Sequence, residues 1–475
     1  MGRVWKVAIY NPFALAQLFL FYRYSMYQKK ILFVENKFKT LFWDEIAKRL
    51  IAQGHDVHWI VQNRLFYPKH GTVHQIFLPS EHDLTVANNA IVGEDVFFQR
   101  LSAMDRSVYF YNNTDRHYSY YLQKISDILT YVGPDFVFGE TTLFHELMTV
   151  ELCRRQNILY LHPTSCRYPS GRFSFYLYDS LQPYIERKDC VIVRGDQQVE
   201  HNIVSRRVQP DYMASAVKKK KSFSEKYRFY KNLGFSLLSR WSGERYNTPS
   251  LRQKMDIEGR LKVWKQRWEE ELASASDDIK DWSKILVVPL QMQPEANIDV
   301  WGHPHNDQLS NIKTLYSGLP EGWSLAIKPN PKAKYELSEA LMDFIRETDN
   351  VYAFSHNEGM EAIFNKADVF YSVSGTVAIE ALMAGKAGYC SGLPIVSVFN
   401  PNLHRAPQEV DVSQAGTDKK AVMLAPGQVI AYLRTNSYAG VIGDPITAPF
   451  VVEDENLAQV TAAFADVVAD NNSNA

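Results

Sequence analysis

The sequence predicts an α/β protein with two doubly wound domains, each built on a parallel sheet. Three observations support this fold class: the chain has 475 residues, apolar runs alternate with helical periodicity in two blocks, and a basic, aromatic stretch separates the blocks. A chain of this length divides most economically into two cores of about 200 residues each. Alternating strands and helices form parallel sheets that helices cover on both faces.

The first block contains two strand-helix-strand units. "KILFVEN" (30–36) predicts a strand, "TLFWDEIAKRLIAQG" a helix that ends at Gly54, and "HDVHWIVQN" a second strand. "PDFVFGE" (134–140), the amphipathic "LFHELMTVELCRRQ" and "NILYLHP" repeat the pattern. We therefore expect one parallel sheet in this half of the chain.

A basic, helix-prone stretch, which includes "KKKKSFSEKYRFYKNLGF" (218–235), divides the two blocks. Strand and helix alternation then restarts at "KILVVPLQ" and continues through "WSLAIKPNP", "NVYAFS", "DVFYSVSG" and "KAGYC". The predicted organisation is an N-terminal aromatic helix (1–29), a first domain (30–204), a basic helical interdomain segment (205–280), a second domain (281–450), and a C-terminal helix and tail (451–475).

Composition is that of an ordinary globular protein. Hydrophobic residues make up 46% and charged residues 22% of the chain, which argues against extensive disorder. Fifty-two basic and 53 acidic side chains give a net charge of -1, so the charge balance does not indicate a nucleic-acid-binding protein. We expect no nucleic acid among its partners.

Cysteine spacing and the N-terminal segment give information on the cellular location of the protein. The four cysteines lack the spacing of a zinc site or a disulfide-rich domain, so reduced thiols in a cytoplasmic protein are the simplest interpretation. The apolar part of "NPFALAQLFLFYRYSMYQKK" is shorter than the roughly 20 residues that span a bilayer, and no cleavage site follows it. We expect a cytoplasmic protein whose N-terminal helix packs on the core or lies on a membrane surface.

Three strand ends of the second block carry polar residues that suit a nucleotide. Ligands of open parallel sheets bind beyond the carboxyl ends of the strands, so these ends are expected to share one site. Glu295 follows the first of these strands in "PLQMQPEAN" and is a candidate sugar contact, whereas Lys328 is either a site residue or a solvated strand-end lysine. The candidates for nucleotide binding are Gln291, Lys328, Ser372, Ser374, Gly375, Thr376 and Glu380.

The segment "YSVSGTVAIEAL" raises the question of what an acid does on an apolar helix. A Ser-Gly-Thr turn at a positive helix end suits a phosphate, although Ser374 could merely cap the helix. Glu380 lies one turn beyond Thr376 on the same face, too far along to complete a capping box. It is therefore predicted to accept hydrogen bonds from ribose hydroxyls.

The first block offers an acid at a strand end. Glu140 closes "FVFGE" directly before a helix, so it either faces the cleft as a general base, with burial raising its pKa, or caps the helix. His145 and Glu146 on that helix are more typical of a surface pair, with His145 also a candidate sugar contact. Arg167 and Arg172 in "SCRYPSGRF" either bind the carboxylate of an acidic sugar or acceptor or are solvent-exposed.

Across most of its length the chain resembles bacterial capsule and surface-polysaccharide glycosyltransferases of the GT-B fold, especially those that use CMP-activated acidic sugars such as Kdo or sialic acid. The resemblance is carried by "ILFVENKFKTLFWDEIAKRL", "GETTLFHEL", "PTSCRYPSGRF", "PLQMQPEANIDVWGHPHNDQ" and "SVSGTVAIEAL". It implies two Rossmann-like doubly wound domains that face a central cleft, a nucleotide-sugar donor with CMP favoured, and catalysis without a bound metal or other cofactor.

The resemblance also implies roles for particular residues. Ser372 and Ser374 correspond to paired serines that hold the CMP phosphate, and Glu140 corresponds to a catalytic acid-base residue. Asn330 stands in "KPNP", where the family has a histidine that contacts the phosphate, so it is a further candidate for nucleotide binding. Its amide can donate to a phosphate but carries no positive charge. Inversion of configuration is favoured, because "SCRYPSGRF" lacks the aspartate nucleophile of some retaining relatives.

The implied partners are the nucleotide-sugar donor, a glycan or glycolipid acceptor, and an anionic membrane at the inner face of the plasma membrane. The basic and aromatic residues of 218–235 suit such a surface, although a solvated linker helix has the same composition. Two alternatives stay open: a nucleotide-sugar epimerase or polyol-phosphate transferase of the same architecture, and a non-catalytic glycan-assembly protein.

Overall fold

The computed structural model describes residues 28–91, 93–205, 234, 238–274, 276–279, 281–332 and 336–470. The predicted N-terminal helix and the basic stretch 218–235 fall almost entirely outside these ranges. The described strands, in chain order, are β1 (Lys30–Val34), β2 (Asp56–Val61), β3 (Thr72–Gln75), β4 (Phe136–Phe138), β5 (Leu159–Ser165), β6 (Arg172–Leu177), β7 (Ala273–Ser274), β8 (Ile285–Pro289), β9 (Ser324–Lys328), β10 (Val351–Phe354), β11 (Val369–Tyr371), β12 (Ala387–Tyr389) and β13 (Tyr438–Ala439).

Helices connect most of these strands, as the alternating pattern predicts. The described α-helices are α1 (Thr40–Ala52), α2 (Glu81–Ala90), α3 (Asp95–Met104), α4 (Arg106–Tyr109), α5 (Tyr118–Val132), α6 (Phe144–Arg155), α7 (Arg194–Val204), α8 (Leu251–Arg267), α9 (Ala296–Asp299), α10 (Gln308–Ser317), α11 (Glu339–Glu347), α12 (Met360–Lys366), α13 (Thr376–Met383), α14 (Pro394–Phe399), α15 (Ala415–Asp418), α16 (Gln428–Thr435) and α17 (Asp454–Ala469). None of them combines the length and hydrophobicity required to cross a lipid bilayer.

The first sheet has the strand order β13-β6-β5-β4-β1-β2-β3. Its central strands are parallel. At one side β6 runs antiparallel to β5, and β13 runs antiparallel to β6. Ile31 and Phe33 of β1 pack into one apolar core, and Leu32 and Val34 pack into another. Because alternate residues of a strand point to opposite faces, the sheet is buried on both sides.

The second sheet has the order β12-β11-β8-β9-β10-β7, and all of its pairings are parallel. Leu286 and Val288 of β8 pack into one core, and Ile285 and Val287 pack into the core on the other face. The two sheets are the Rossmann-like halves of a GT-B fold, which confirms the predicted fold class.

The predicted domain boundaries differ from the limits of the two sheets. β7 belongs to the second sheet although it precedes residue 281, and β13 belongs to the first sheet although it precedes residue 451. Both strands are two residues long, which is too short for a periodic signal. The C-terminal helix α17 follows β13 back to the first sheet, where Phe464 and its apolar neighbours are buried in the core.

Strand order reverses once within each sheet. In the first sheet the chain moves from β1 outward to β2 and β3, then returns to β4 on the other side of β1. In the second sheet it moves from β8 to β9 and β10, then returns to β11 on the other side of β8. Such reversals open a crevice at the carboxyl ends of the two central strands, where ligands of open α/β sheets bind.

Candidate active site at the domain interface

The crevice of the second sheet brings Gln291, Ser372 and Ser374 together, as predicted. Gln291 follows β8 and the serines follow β11. The Gln291 amide donates to Ser374 Oγ at 2.9 Å, while its Oε1 accepts from the Ser374 backbone N–H at 2.9 Å and from Ser372 Oγ at 3.3 Å. Ser374 Oγ donates in turn to the Asn297 carbonyl. Both hydroxyls therefore order the turn through bonds within the protein.

The same turn begins helix α13. Gly375 is the N-cap and no side chain caps the helix, so the alternative role of Ser374 as a cap does not apply. Ser372 Oγ accepts from the Gly375 N–H at 3.0 Å, and a Cβ at Gly375 would overlap that oxygen. Thr376 is the first residue of α13. The positive end of this helix is the feature of the turn that suits an anion.

Glu380 lies inside α13 and is 3% exposed. Its Oε1 accepts a hydrogen bond of 2.7 Å from the hydroxyl of Tyr168, which belongs to the loop after β5 in the first domain. Tyr168 is itself buried against Ile203 and Ile430. In this structure the carboxylate therefore joins the two domains, and its predicted contact with ribose hydroxyls stays a prediction.

Lys328 and Asn330 follow β9. Lys328 is 4% exposed, so the alternative of a solvated lysine is wrong. Burial lowers its pKa to about 8, although the charges of Glu269 and Glu358 favour the ammonium form. Its amine donates to the carbonyls of Pro329 at 2.7 Å and His356 at 3.5 Å. It thus contacts the neighbouring loops rather than the serine turn.

The polar loops around Gln291 are held by a network of side-chain amides. Asn330 Oδ1 accepts from the backbone N–H of Lys332 at 2.8 Å, which shapes the loop after β9. Gln308 exchanges bonds of 2.7 and 2.8 Å with the backbone of Gln291. Glu295 precedes α9, and its backbone N–H donates to Asp299 at 2.8 Å. Burial raises the pKa of Asp299 to about 7, although bonds from Gln293 and Glu295 oppose the shift.

The crevice of the first sheet contains Glu140 at the end of β4 and Lys39 after β1. Glu140 is 5% exposed, and its Oε1 lies 2.8 Å from Lys39 Nζ. Burial raises the pKa of Glu140, the Lys39 charge opposes this, and the nearby charge of Glu146 adds to it. A base whose pKa lies above the ordinary value for glutamate suits abstraction of a hydroxyl proton near neutral pH.

His145 and Glu146 are both fully buried, so the expected surface pair is wrong. Glu146 accepts from the backbone N–H groups of Thr142 and Leu143 at 2.8 and 2.9 Å. It thereby caps α6. Helix capping was the alternative role predicted for Glu140, and Glu146 fills it instead. His145 bonds to Gln62 at 2.9 Å and to the Glu35 carbonyl at 2.9 Å, which ties α6 to β1 and β2.

Two contacts join the crevices across the domain interface. Arg167, in the loop after β5, donates to the Ser374 carbonyl and to Asn297 Oδ1, the latter at 3.0 Å. Trp301 of the second domain donates from Nε1 to Thr141 Oγ1 at 2.9 Å. Thr141 directly follows Glu140. The acid of the first domain and the serine turn of the second therefore border the same interface.

Arg172 does not reach this interface. It lies on β6 and donates to Ser437 Oγ at 2.8 Å and to the Arg434 and Ser437 carbonyls, the former at 3.0 Å. These bonds hold the segment that carries the chain back to β13. Its predicted contact with an acidic sugar has no support in this arrangement, because its donors face backbone carbonyls.

Several residues of the interface were not candidates from the sequence, among them Lys39, Tyr168 and Trp301. Lys39 could have been found from "ENKFK", because a lysine a few residues after the first strand lies near the same sheet edge as Glu140. The contacts of Tyr168 and Trp301 depend on the relative position of the domains, which no local pattern encodes. Among the described residues, no group of three or more His, Cys, Asp or Glu side chains is arranged to hold a metal ion.

Comparison with known proteins gives similarity only at the level of solved structures. No family model and no curated protein matches the chain. The UDP-GlcNAc 2-epimerase of Neisseria meningitidis bound to UDP-GlcNAc is 13% identical, with 92% of this chain and 99% of that chain covered and a TM-score of 0.23. The epimerase of Methanocaldococcus jannaschii in complex with UDP-GlcNAc and UDP is 13% identical, with 86% and 98% covered and a TM-score of 0.28.

MurG of Acinetobacter baumannii is 13% identical, with 93% of this chain and 99% of that chain covered and a TM-score of 0.22. All of these TM-scores lie well below 0.5. Similarity at this level assigns neither an activity nor a substrate to this chain, so its function has to be argued from its own contacts.

Proposed function

We propose that this protein is a glycosyltransferase that moves a sugar from a nucleotide donor to a bacterial surface glycan such as a capsule or lipopolysaccharide. The donor is a CMP-activated acidic sugar of the Kdo or nonulosonate type, in keeping with the resemblance of the "SVSGTVAIEAL" and "PLQMQPEAN" segments to transferases that use such donors. The reaction takes place in the cytoplasm and proceeds without a bound metal.

The observation that carries the proposal is that the crevices of the two sheets border one interface. One crevice presents a buried acid, Glu140, beside Lys39, and the other presents the serine turn at the start of α13. Arg167 bonds to that turn from the first domain. A base on one side and an anion-binding turn on the other are the two groups that transfer from a sugar phosphate requires.

In the proposed reaction the start of α13 binds the donor phosphate. Glu140 accepts the proton of an acceptor hydroxyl, whose oxygen forms a bond to the anomeric carbon of the donor sugar. The bond between that carbon and the phosphate oxygen breaks, and the nucleotide leaves with the electron pair. The dipole of α13 stabilises the charge that develops on the phosphate. A single displacement of this kind inverts the anomeric configuration.

Nucleotide choice depends on the loops after β8 and β9. Asn330 stands where the transferases that this chain resembles have a histidine, so an amide instead of an imidazole would contact the phosphate. Arg167 bonds directly to the serine turn, and Lys328 follows β9, which is separated from β11 by β8. Either can add attraction for the phosphate or for a sugar carboxylate.

The test is incubation of the full chain with CMP-, UDP- and GDP-sugars, with and without a glycan acceptor, followed by mass spectrometry of the products. Transfer to the acceptor from a CMP-sugar supports the proposal. Conversion of a nucleotide sugar to its epimer without acceptor would identify the alternative enzyme class. The absence of nucleotide binding in a thermal-shift screen with CMP, CDP, UMP, UDP and GDP would favour a non-catalytic protein.

Attachment to the inner face of the plasma membrane is part of the proposal and rests on sequence alone. The stretch 218–235 lies almost entirely outside the described residues and combines six lysines and an arginine with five aromatic residues. Near an anionic surface each basic residue contributes about 1 kcal/mol. We expect salt-sensitive binding to anionic liposomes that is lost when Lys218–Lys221 are changed to Glu, whereas transfer to a soluble acceptor persists. Wild-type protein that ignores such liposomes at low salt would contradict this part.

A further inference from the structure

A cavity of about 260 Å³ lies between the two domains. The first domain lines it with Arg100 on α3 and with Asp179 after β6, and the second domain lines it with Trp301, His303 and His404. This volume lies just below the roughly 300–1,000 Å³ of pockets that hold drug-sized ligands. The cavity is therefore suited to a small molecule of about the size of a single sugar ring.

The cavity adjoins both halves of the candidate active site. Gly392 forms part of its wall, and its backbone N–H donates to the carbonyl of Val373, in the serine turn, at 2.6 Å. A Cβ at Gly392 would lie 2.9 Å from the Trp301 carbonyl and 3.0 Å from the Val373 carbonyl, so the wall and the serine turn are closely packed there. Trp301 in turn bonds to Thr141, next to Glu140.

The charged side chains on the wall of the cavity are already paired. Arg100 lies 2.6 Å from one carboxylate oxygen of Asp179, and the other oxygen accepts a hydrogen bond from Arg154. These arginines hold the pKa of Asp179 below its ordinary value even though burial opposes the shift. This wall therefore offers a ligand no unpaired charge.

Two imidazoles on the opposite wall offer hydrogen bonds instead. Both residues line the cavity, but His303 Nδ1 and His404 Nε2 are enclosed by protein and have no hydrogen-bond partner among the described residues, so a hydrogen bond to a ligand has to come from the other nitrogen of each ring. Burial lowers the pKa of both side chains, and for His404 the charge of Arg405 adds to the effect. Both rings are therefore neutral near pH 7, and a neutral imidazole can donate from one nitrogen and accept at the other.

We propose that this cavity is an acceptor subsite that takes an uncharged, hydroxyl-rich sugar ring. The two imidazoles hydrogen-bond its hydroxyl groups, and the indole of Trp301 provides an apolar wall for the ring. The inference deepens the proposed function and rests on it, because it names the class of acceptor for the same site. An acidic acceptor is disfavoured, since Arg100 is already paired and a buried carboxylate without a partner is costly.

The test is saturation-transfer NMR on the full chain with neutral methyl glycosides of glucose, galactose, mannose, N-acetylglucosamine and rhamnose, and with methyl glucuronide as the charged counterpart of the glucoside. We expect ring-proton signals from at least one neutral glycoside and none from the glucuronide. His404→Leu should weaken binding about tenfold, which is the loss of one or two hydrogen bonds. His305→Leu, a half-buried histidine outside the cavity lining, should leave it unchanged.

A parallel titration with CMP separates the two proposals. If CMP binds but no neutral glycoside does, or if the glucuronide binds as well as the glucoside, the subsite is overturned and the proposed function survives. If a neutral glycoside binds in a His404-dependent manner but no nucleotide does, the subsite survives and the proposed function fails. Equal effects of His404→Leu and His305→Leu would also overturn the subsite.

Discussion

The crevices of the two sheets occupy the same topological position but differ in charge. In the first sheet, Glu140 pairs with Lys39, and the buried carboxylate of Glu35 accepts from the backbone N–H groups of Lys37 and Asn63 at 2.7 and 3.1 Å. In the second sheet, Gln291, Ser372 and Ser374 form a neutral network of amide and hydroxyl groups. The acid of the first crevice has a charged partner, whereas the serine turn of the second crevice is formed by neutral dipoles.

This difference fits a division of labour between the domains. A nucleotide phosphate brings its own charge, so the crevice that binds it needs ordered dipoles at a helix end. A hydroxyl group brings no charge, so the crevice that activates it needs a base with a tuned pKa. Substitutions can disrupt the function of each crevice separately, and the expected effects differ in size.

Loss of the base should have the largest effect. Glu140→Gln keeps the shape of the side chain but removes its ability to accept a proton, so turnover should fall about 100- to 10,000-fold. Nucleotide affinity should stay within error, because the serine turn lies in the other domain. Steady-state kinetics and calorimetric titration check the two expectations.

Near-normal turnover of Glu140→Gln would remove the residue from the catalytic role. A covalent sugar adduct on another carboxylate, detected by mass spectrometry of the variant, would instead show that the reaction retains configuration.

Changes in α13 should have a smaller effect, confined to donor binding. Glu380→Ala and Thr376→Val are each expected to weaken the affinity for the donor about tenfold to a hundredfold, since a hydrogen bond to a bound group contributes about 1 to 3 kcal/mol. Calorimetric titration with the donor nucleotide measures the loss.

Tyr168→Phe is the matched control for Glu380, because it removes the hydroxyl that bonds to this carboxylate and leaves the carboxylate in place. If Glu380 binds ribose, only Glu380→Ala weakens nucleotide binding. If both variants lower the melting temperature alike and neither changes affinity, then Glu380 serves the contact between the domains alone, and the ribose assignment is lost.

Removal of the counter-charge should change the pH profile more than the maximal rate. Burial raises the pKa of Glu140 and Lys39 opposes that shift, so Lys39→Met should raise the pKa further. Because the base works in its deprotonated form, the acid limb of kcat/KM should move to higher pH. Lys39→Arg retains the positive charge and should keep the limb close to its original position. An unchanged limb in Lys39→Met would show that the pair does not control the base.

Most of the fold was predictable because it depends on local patterns. β1, α1 and β2 lie where "KILFVEN" and the following segments predict them, and the link between Gln291 and Ser374 follows from the rule that parallel strands end at one edge. Local signals also sufficed to place Glu140 at that edge in the first sheet.

The remainder depends on contacts between distant segments. His145 and Glu146 were expected on the surface, but most residues of α6 are buried. Helical periodicity does not show which faces of a helix are packed against distant segments of the chain. The Tyr168–Glu380 bond joins residues 212 positions apart in different domains. Neither predicted alternative for Arg172, a carboxylate ligand or solvent exposure, includes its bonds to the segment before β13, because the return of the chain through Ser437 to the first sheet gives no periodic signal.

The most direct test of the central claim is calorimetric titration of CMP into the wild-type chain and into Gln291→Glu. The variant places a carboxylate among the hydroxyls of the serine turn, where it repels a phosphate. Gln198→Glu, on the exposed face of α7, adds the same charge elsewhere. We predict that CMP binds the wild type and Gln198→Glu equally and binds Gln291→Glu at least about tenfold more weakly. Equal affinity for all three proteins, or no binding of CMP to the wild type, would contradict the assignment of the serine turn as the nucleotide site.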